Sequence, residues 1–189
     1  GSVWKEDISS LLEGVRILKT LYKIKVRLIC VPHEIKKKLT DFTESKCVSY
    51  DLSYFCCDES SSLESSSLRG LDPDVVIINR MGILAEVYAL GHLGYVGGAM
   101  HHRVHNVLEP LAYGVPTAYG PRHKTSLEAV KLVKANLAEV VRSPSEIANW
   151  CSYHFDAKFA DRKFLLDYLN ERRGASRRVL SYFKSPETE

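Results

Sequence analysis

The sequence predicts an α/β fold, a doubly wound and mostly parallel sheet followed by C-terminal helices. Short apolar runs alternate with segments of helical spacing along most of the 189 residues. One run, VRLICV at residues 26–31, has the length and the β-branching of a strand that is buried on both faces. This alternation is typical of parallel sheets built from βαβ units.

The predicted elements follow one another in a regular order. An apolar stripe at helical spacing indicates the first helix, Pro32 ends the first strand, and Met81-Gly82 turns the chain into a helix after the third strand. Helices are predicted over residues 4–22, 33–42, 83–90, 106–113 and 126–135, and strands over residues 26–31, 47–55, 74–79, 92–96, 115–119 and 138–141.

The last part of the chain differs because its pattern is helical throughout. Helices are expected over residues 147–153, 159–173 and 177–183. We therefore expect residues 1–150 to form the sheet domain and residues 151–189 a helical segment that packs on it or extends toward another domain. The polar, serine-rich residues 58–67 predict a mobile surface loop.

Composition argues against several classes of protein. The net charge of +3, from 26 basic and 23 acidic residues, is too balanced to indicate a nucleic-acid partner. No apolar segment approaches the ~20 residues of a membrane helix, and no secretory signal is present. The five cysteines form no CxxC pair, so reduced thiols in a cytoplasmic protein are expected.

Residues 94–121 carry the most informative pattern. A strand ends in Gly97-Gly98, and His105-Asn106 open a helix with Glu109 in its first turn. Paired glycines let a ligand approach the backbone, a helix start can bind an anion, and a carboxylate can accept bonds from two ribose hydroxyls. The structural alternatives are a tight turn, an ordinary N-cap and a capping box in which Glu109 bonds back to the Asn106 backbone.

Two further loops at strand ends carry cationic groups, PHE at residues 32–34 and RHK at residues 122–124. Loops at the carboxyl ends of strands collect ligands in open α/β sheets. A negatively charged ligand is therefore expected near His33 and Arg122, although each loop can also be a charged surface turn.

Three histidines, His101, His102 and His105, raise the alternative of a zinc site. No carboxylate or cysteine completes a tetrahedral set with them, so no metal is expected. The GxSxG, GxxxxGK[ST] and GxGxxG motifs are missing, which argues against hydrolases, ATPases and dehydrogenases.

Taken in order, these motifs resemble the donor-binding half of bacterial 3-deoxy-D-manno-octulosonic acid (Kdo) transferases. That family carries a VGG…HN-x-LEP…G-x-P…GP series, and its GS-x-W/H…E entry resembles GSVWKED at residues 1–7. The resemblance would make Gly1-Ser2 native residues rather than a cloning remnant. The matching motifs are MG at 81–82, YVGG at 95–98, HNVLEP at 105–110 and GVPTAYGP at 114–121.

The resemblance implies a Rossmann-like C-terminal domain of a two-domain GT-B glycosyltransferase. Such enzymes move Kdo from CMP-Kdo to a lipid A precursor at the cytoplasmic face of the inner membrane, in lipopolysaccharide biosynthesis, without a bound metal or other cofactor. The general base, the acceptor site and the membrane anchor belong to the N-terminal domain, so the chain is expected to be inactive alone. Matching positions imply these donor contacts: Gly97, Gly98, His105 and Asn106 for the phosphate and the sugar acid, Glu109 for the ribose, Met81 and Gly82 for the cytosine, and His33, Arg122 and Ser2 around them.

The sequence departs from the family pattern at two points. Asn79 to Ile83 stand where the family has Asp-Thr-x-Gly-Glu, and Val104 stands where it has Gly before His-Asn. Two alternatives therefore stay open: another GT-B enzyme that uses a UDP-sugar, as a transferase or a 2-epimerase, and a degenerate domain that serves only for interaction.

Overall fold

The computed structural model describes residues 1–58, 72–156, 162–172 and 174–183, and within these ranges it has an α/β architecture. The serine-rich segment predicted to be a mobile loop lies almost wholly outside the described residues. The strands are β1 (Leu28–Cys30), β2 (Tyr54–Cys57), β3 (Val75–Ile78), β4 (Gly94–Val96), β5 (Thr117–Tyr119) and β6 (Ala138–Val140). The helices are α1 (Lys5–Ile17), α2 (Lys37–Ser49), α3 (Leu84–Leu90), α4 (Leu108–Ala112), α5 (Leu127–Lys134), α6 (Pro144–Asp156), α7 (Arg162–Asn170) and α8 (Ala175–Phe183).

The strands form two parallel groups of three. In one group the order is β1-β3-β2, and in the other it is β4-β5-β6. Ile77 of β3 pairs with Cys30 on one side and Cys56 on the other, and Ala118 of β5 pairs with Tyr95 and Glu139. The prediction of a mostly parallel sheet is confirmed.

Residues 1–3, here called the linking segment, join the two groups. On one side Val3 donates its N–H to Val31 and accepts a bond from His33, at 3.2 and 3.0 Å. On the other side the Gly1 nitrogen donates to the Tyr95 carbonyl, and Gly97 N–H donates back to the Gly1 carbonyl at 2.9 Å. The strands therefore follow the order β2-β3-β1, linking segment, β4-β5-β6.

This order places a topological switch point at the linking segment. The chain leaves it to build β1, β2 and β3 on one side and then crosses over to build β4, β5 and β6 on the other. In open α/β sheets, ligands bind in the crevice outside the carboxyl ends of the strands at such a point. We therefore expect the site among the residues that directly follow the linking segment, β1 and β4.

Helix α6 fixes the start of the C-terminal region to the sheet domain. It crosses residue 150, and its Ile147 and Trp150 are buried in the same core cluster as Leu12 and Val15 of α1. Gly14 permits this close approach, since a Cβ there would lie 2.9 Å from the Ile147 side chain. Further along, Leu165 of α7 is buried in a second cluster, with Leu111 and Leu132. The boundary at residue 150 stays a prediction.

Several predicted boundaries are wrong, each for a local reason. The helix predicted over residues 33–42 begins only at Lys37 and continues to Ser49, so residues 47–49 are helical and not the start of a strand. Cys47 is fully buried on the inner face of that helix, and this packing overrides the strand-like local pattern. The first helix is regular as far as Ile17, after which a π-helical turn carries the chain to Tyr22.

None of the five cysteines, all of which lie in described residues, is paired in a disulfide. Burial raises the pKa of Cys30 to about 12 and that of Cys47 to about 11. Both thiols are therefore protonated at neutral pH and act as small apolar core side chains.

Candidate functional site

Three aromatic side chains meet at the switch point, one from each neighbouring strand end. Trp4 follows the linking segment, His33 follows β1 and His105 lies in the loop after β4. The Trp4 indole Nε1 donates to Nε2 of His105 at 2.9 Å. The His33 ring stacks on His105 at a centroid distance of 4.1 Å and lies tilted by 32° against Trp4 at 4.9 Å. We call these three side chains the ring cluster.

Asp7, in the first turn of α1, anchors the backbone around the ring cluster. Its carboxylate is buried and accepts three hydrogen bonds, from Trp4 N–H at 2.9 Å, Gly98 N–H at 2.8 Å and the Tyr95 hydroxyl at 2.9 Å. Burial and this carboxylate raise the pKa of Tyr95, which stays a neutral donor. Asp7 thus ties α1, β4 and the glycine turn together.

Asp7 was not predicted from the sequence to be a site residue. A usable signal was present, because an acidic residue three positions after a helix start is the capping-box pattern. Asp7 does receive the N–H of Trp4, the residue before α1. Its bonds to Tyr95 and Gly98 cross about ninety residues of sequence and have no local signature.

Gly97 and Gly98 are both buried, and the protein's own backbone accounts for each of them. A Cβ on Gly97 would lie 2.2 Å from the Ser2 carbonyl oxygen, and one on Gly98 would lie 2.1 Å from the Arg103 carbonyl oxygen. Gly98 also has a φ of +94°, which favours glycine. Neighbouring backbone packs so closely against this turn that only glycine fits at both positions. The presence of the two glycines is therefore explained without the expected approach of a ligand. Their donor contact stays a prediction.

The helix after His105 is shorter than expected, and its start is built differently. Asn106 lies before it, and its side-chain oxygen accepts the Leu108 N–H at 3.1 Å. Glu109 does not close a capping box with the Asn106 backbone. Instead, its carboxylate accepts a bond from the Asn106 side-chain amide at 3.0 Å. With only five residues, α4 has little dipole to offer an anion, so any binding there depends on these side chains.

The remaining predicted residues lie on the flanks of the same edge. Met81 and Gly82 follow β3 and are exposed, and Gly82 has a φ of +80° with open space around it. Arg122 follows β5; its side chain is exposed and its N–H donates to the Ala99 carbonyl at 2.9 Å. Ser2 lies in the linking segment with a φ of 53°. Within the described ranges, no hydrogen bond or ring contact joins the side chains of Met81 or Arg122 to the ring cluster.

Two buried polar atoms near strand ends lack hydrogen-bond partners within the structure. They are Oδ1 of Asn79, directly after β3, and Nδ1 of His123, in the loop after β5. Buried polar atoms are normally satisfied by protein, water or ligand. Asn79 was noted in the sequence only as a departure from the family pattern. Its orphaned oxygen makes it an additional candidate for a ligand contact on the β3 flank.

The electrostatics of the ring cluster favour a neutral His105. Burial lowers its pKa, and the charge of His33 lowers it further, while the Asp7 carboxylate acts in the opposite direction. His105 therefore remains an uncharged hydrogen-bonding group at neutral pH.

Neither a metal cluster nor a membrane-spanning helix is found in the parts of the chain described. No group of three or more His, Cys, Asp or Glu side chains there is arranged to hold a metal ion. His101 and His102 are exposed, whereas His105 is engaged with Trp4. None of the described helices is long and apolar enough to cross a bilayer.

Comparison with known proteins finds sequences similar to this chain among transferases. No protein-family model matches the chain. It is 28% identical over 155 residues to the 3-deoxy-D-manno-octulosonic acid transferase of Aquifex aeolicus, covering 78% of this chain and 38% of that enzyme. It is 31% identical over 125 residues to the enzyme of the same name from Chlamydophila psittaci, covering 64% of this chain and 25% of that enzyme. The chain thus spans between a quarter and two fifths of these two relatives.

A solved structure shows the same fold. It is the C-terminal CMP-Kdo binding domain of WaaA from Acinetobacter baumannii, with a TM-score of 0.69 and 21% identity, over 90% of this chain and 84% of that one. The resemblance read from the sequence motifs is therefore confirmed: this chain is similar in sequence to Kdo transferases and shares the fold of that C-terminal CMP-Kdo binding domain.

Proposed function

We propose that this chain is the donor-binding domain of a glycosyltransferase that transfers Kdo from CMP-Kdo to a lipid A precursor. The observation that carries the proposal is the convergence of Trp4, His33, His105 and the glycine turn at the switch point. This is where an open α/β sheet binds nucleotides, and a structurally similar domain binds CMP-Kdo.

The chemistry of CMP-Kdo fits the groups at this edge. The donor combines a phosphate, a sugar carboxylate, a ribose with two hydroxyls and a cytosine. We assign the phosphate and the sugar acid to His105, Asn106 and the Gly97-Gly98 turn, with His33, Arg122 and Ser2 around them. Glu109 is half-buried and held by Asn106, which leaves carboxylate lone pairs for the ribose hydroxyls. The backbone at Met81 and Gly82 would face the base.

The mechanism we propose is an inverting transfer in which CMP leaves. Hydrogen-bond donors around the phosphate stabilise the charge that develops on this leaving group. We expect the general base and the acceptor site to come from the part of the relatives that this chain does not cover, and we expect no bound metal or cofactor. In that setting the enzyme would work at the cytoplasmic face of the inner membrane, in lipopolysaccharide synthesis.

A side-by-side titration tests the proposal. CMP and UDP would be added separately to the ¹⁵N-labelled chain while amide resonances are followed by NMR. We expect weak binding of CMP, with shifts at Gly97, Gly98 and Glu109, and weaker binding of UDP. A preference for UDP would favour a UDP-sugar enzyme, and no response to either nucleotide would favour an interaction domain. Glu128→Gln, on the exposed start of α5, is the matched control for variants at Glu109.

A further inference from the structure

We infer that Trp4 is a positioning residue that locks His105 as the neutral tautomer with its proton on Nδ1. The indole N–H is a donor and never an acceptor. Because Trp4 Nε1 lies 2.9 Å from Nε2 of His105, that nitrogen has to present a lone pair. In a neutral imidazole the proton is then on Nδ1.

The surroundings of His105 hold the ring in this state. The His33 ring covers one face at a centroid distance of 4.1 Å, and the Trp4 and His105 ring planes are within 12° of each other. The titratable and charged side chains that act on His105 are His33 and Arg103, which disfavour a cation, and Asp7, which favours one. Burial of the ring, the largest influence, also disfavours the cation, so His105 is neutral.

This lock determines which atom of His105 meets a ligand. Nε2 is occupied by Trp4, and Nδ1 has no partner among the described residues. Nδ1–H is therefore left as a single fixed donor, suited to an oxygen of a phosphate or carboxylate. A protonated His105 would turn a second N–H toward the indole N–H, so protonation would break the Trp4 bond.

The tautomer is measured directly in the ligand-free protein. Long-range ¹H–¹⁵N NMR spectra of the histidine rings distinguish Nδ1–H, Nε2–H and the cation. We expect the Nδ1–H pattern for His105 at pH 7, and either of the other two patterns would overturn the inference. This arm needs no variant and does not depend on the proposed function.

A variant separates the Trp4 bond from general packing. Trp4→Phe keeps an aromatic ring and removes the donor, so His105 should lose its fixed tautomer and its pKa should rise by about one unit, as expected when a hydrogen bond made only to the neutral form is lost. An unchanged pKa in the folded variant would contradict the inference. If the variant does not fold, the wild-type spectrum decides.

A pair of substitutions tests the ligand side, which rests on the proposed function. In His105→Asn the amide N–H₂ takes the place of Nδ1, whereas His105→Gln supplies an acceptor for Trp4 and no donor at Nδ1. We expect the Asn variant to retain CMP affinity within ~3-fold and the Gln variant to lose ~10-fold or more, since ~10-fold is the lower end of the range for a hydrogen bond to a charged group. His101→Asn, an exposed histidine of the same loop, is the control. The reverse order would overturn the inference, whereas failure of the wild type to bind CMP would count only against the proposed function.

Discussion

At the carboxyl edge of the sheet, the residues at the centre and those on the two flanks are held in place in different ways. At the centre, Trp4, His105 and Asp7 have hydrogen-bond partners on other elements, and the glycine turn packs against the linking segment. On the flanks, the Met81 and Arg122 side chains are exposed. Central residues thus have a structural role in addition to any ligand contact, while flank residues are free to act on a ligand alone. Side-chain variants at the centre should therefore change stability, and side-chain variants on the flanks should change mainly binding.

The largest expected effect is a difference in stability between the alanine variants of two glycines, Gly97 and Gly82. In Gly97→Ala the new Cβ would lie 2.2 Å from the Ser2 carbonyl oxygen and 2.6 Å from the Val3 Cα, so the two halves of the sheet would have to move apart. We expect the free energy of unfolding to fall by about 4 kcal/mol. Gly82→Ala meets open space and has only the strain of a positive φ, about 1 kcal/mol. Urea unfolding of both variants measures the difference, and equal losses would refute the contrast between centre and flank.

The second largest effect is the loss of stability expected when the buried carboxylate of Asp7 is removed. Asp7→Ala leaves the Trp4 and Gly98 N–H groups and the Tyr95 hydroxyl without their acceptor. We expect a loss of about 3 kcal/mol in the free energy of unfolding. Glu6→Ala, an exposed acid in the same helical turn, should change it by less than about 0.5 kcal/mol. Chemical denaturation checks both, and a loss below about 1 kcal/mol for Asp7→Ala would show that water replaces the carboxylate.

The fold was predictable because local pattern and tertiary packing agree over most of the sheet. Strands such as Val75–Ile78 are continuous apolar runs, and they are buried as such runs require. The linking segment was not predictable as a strand, because three residues are too few to show a repeating apolar pattern. They pair only because β1 and β4 lie on either side of them. The helix over residues 37–49 was misplaced because burial of Cys47 and Thr43 decides its register.

The site was predictable in part, for a related reason. Spacing along the chain identified His33, Gly97, Gly98 and His105, which each follow a strand. It did not identify the bond between Trp4 and His105, because those residues are 101 positions apart and neither type predicts the other. The motif resemblance placed Trp4 near the entry of the domain without giving it a role. Which nitrogen of His105 is occupied follows only from the three-dimensional structure.

The smallest effect is expected at Glu109, where a substitution should change the affinity for CMP without changing the free energy of unfolding. Glu109→Gln keeps an oxygen that can accept the Asn106 amide, so the loop should stay intact. Loss of the charge should weaken CMP binding by ~5–10-fold, or about 1–1.4 kcal/mol, if the carboxylate accepts the ribose hydroxyls.

Comparison of CMP with 2′-deoxy-CMP locates the contact. Removing the 2′-hydroxyl should weaken binding to the wild-type chain more than to Glu109→Gln, since the deleted groups are partners. Calorimetric titration of both nucleotides against both proteins completes the cycle, with Glu128→Gln as the control. Additive losses would show that Glu109 does not contact the ribose. A drop in the midpoint of unfolding for Glu109→Gln would place Glu109 with the structural centre and not with the binding flank.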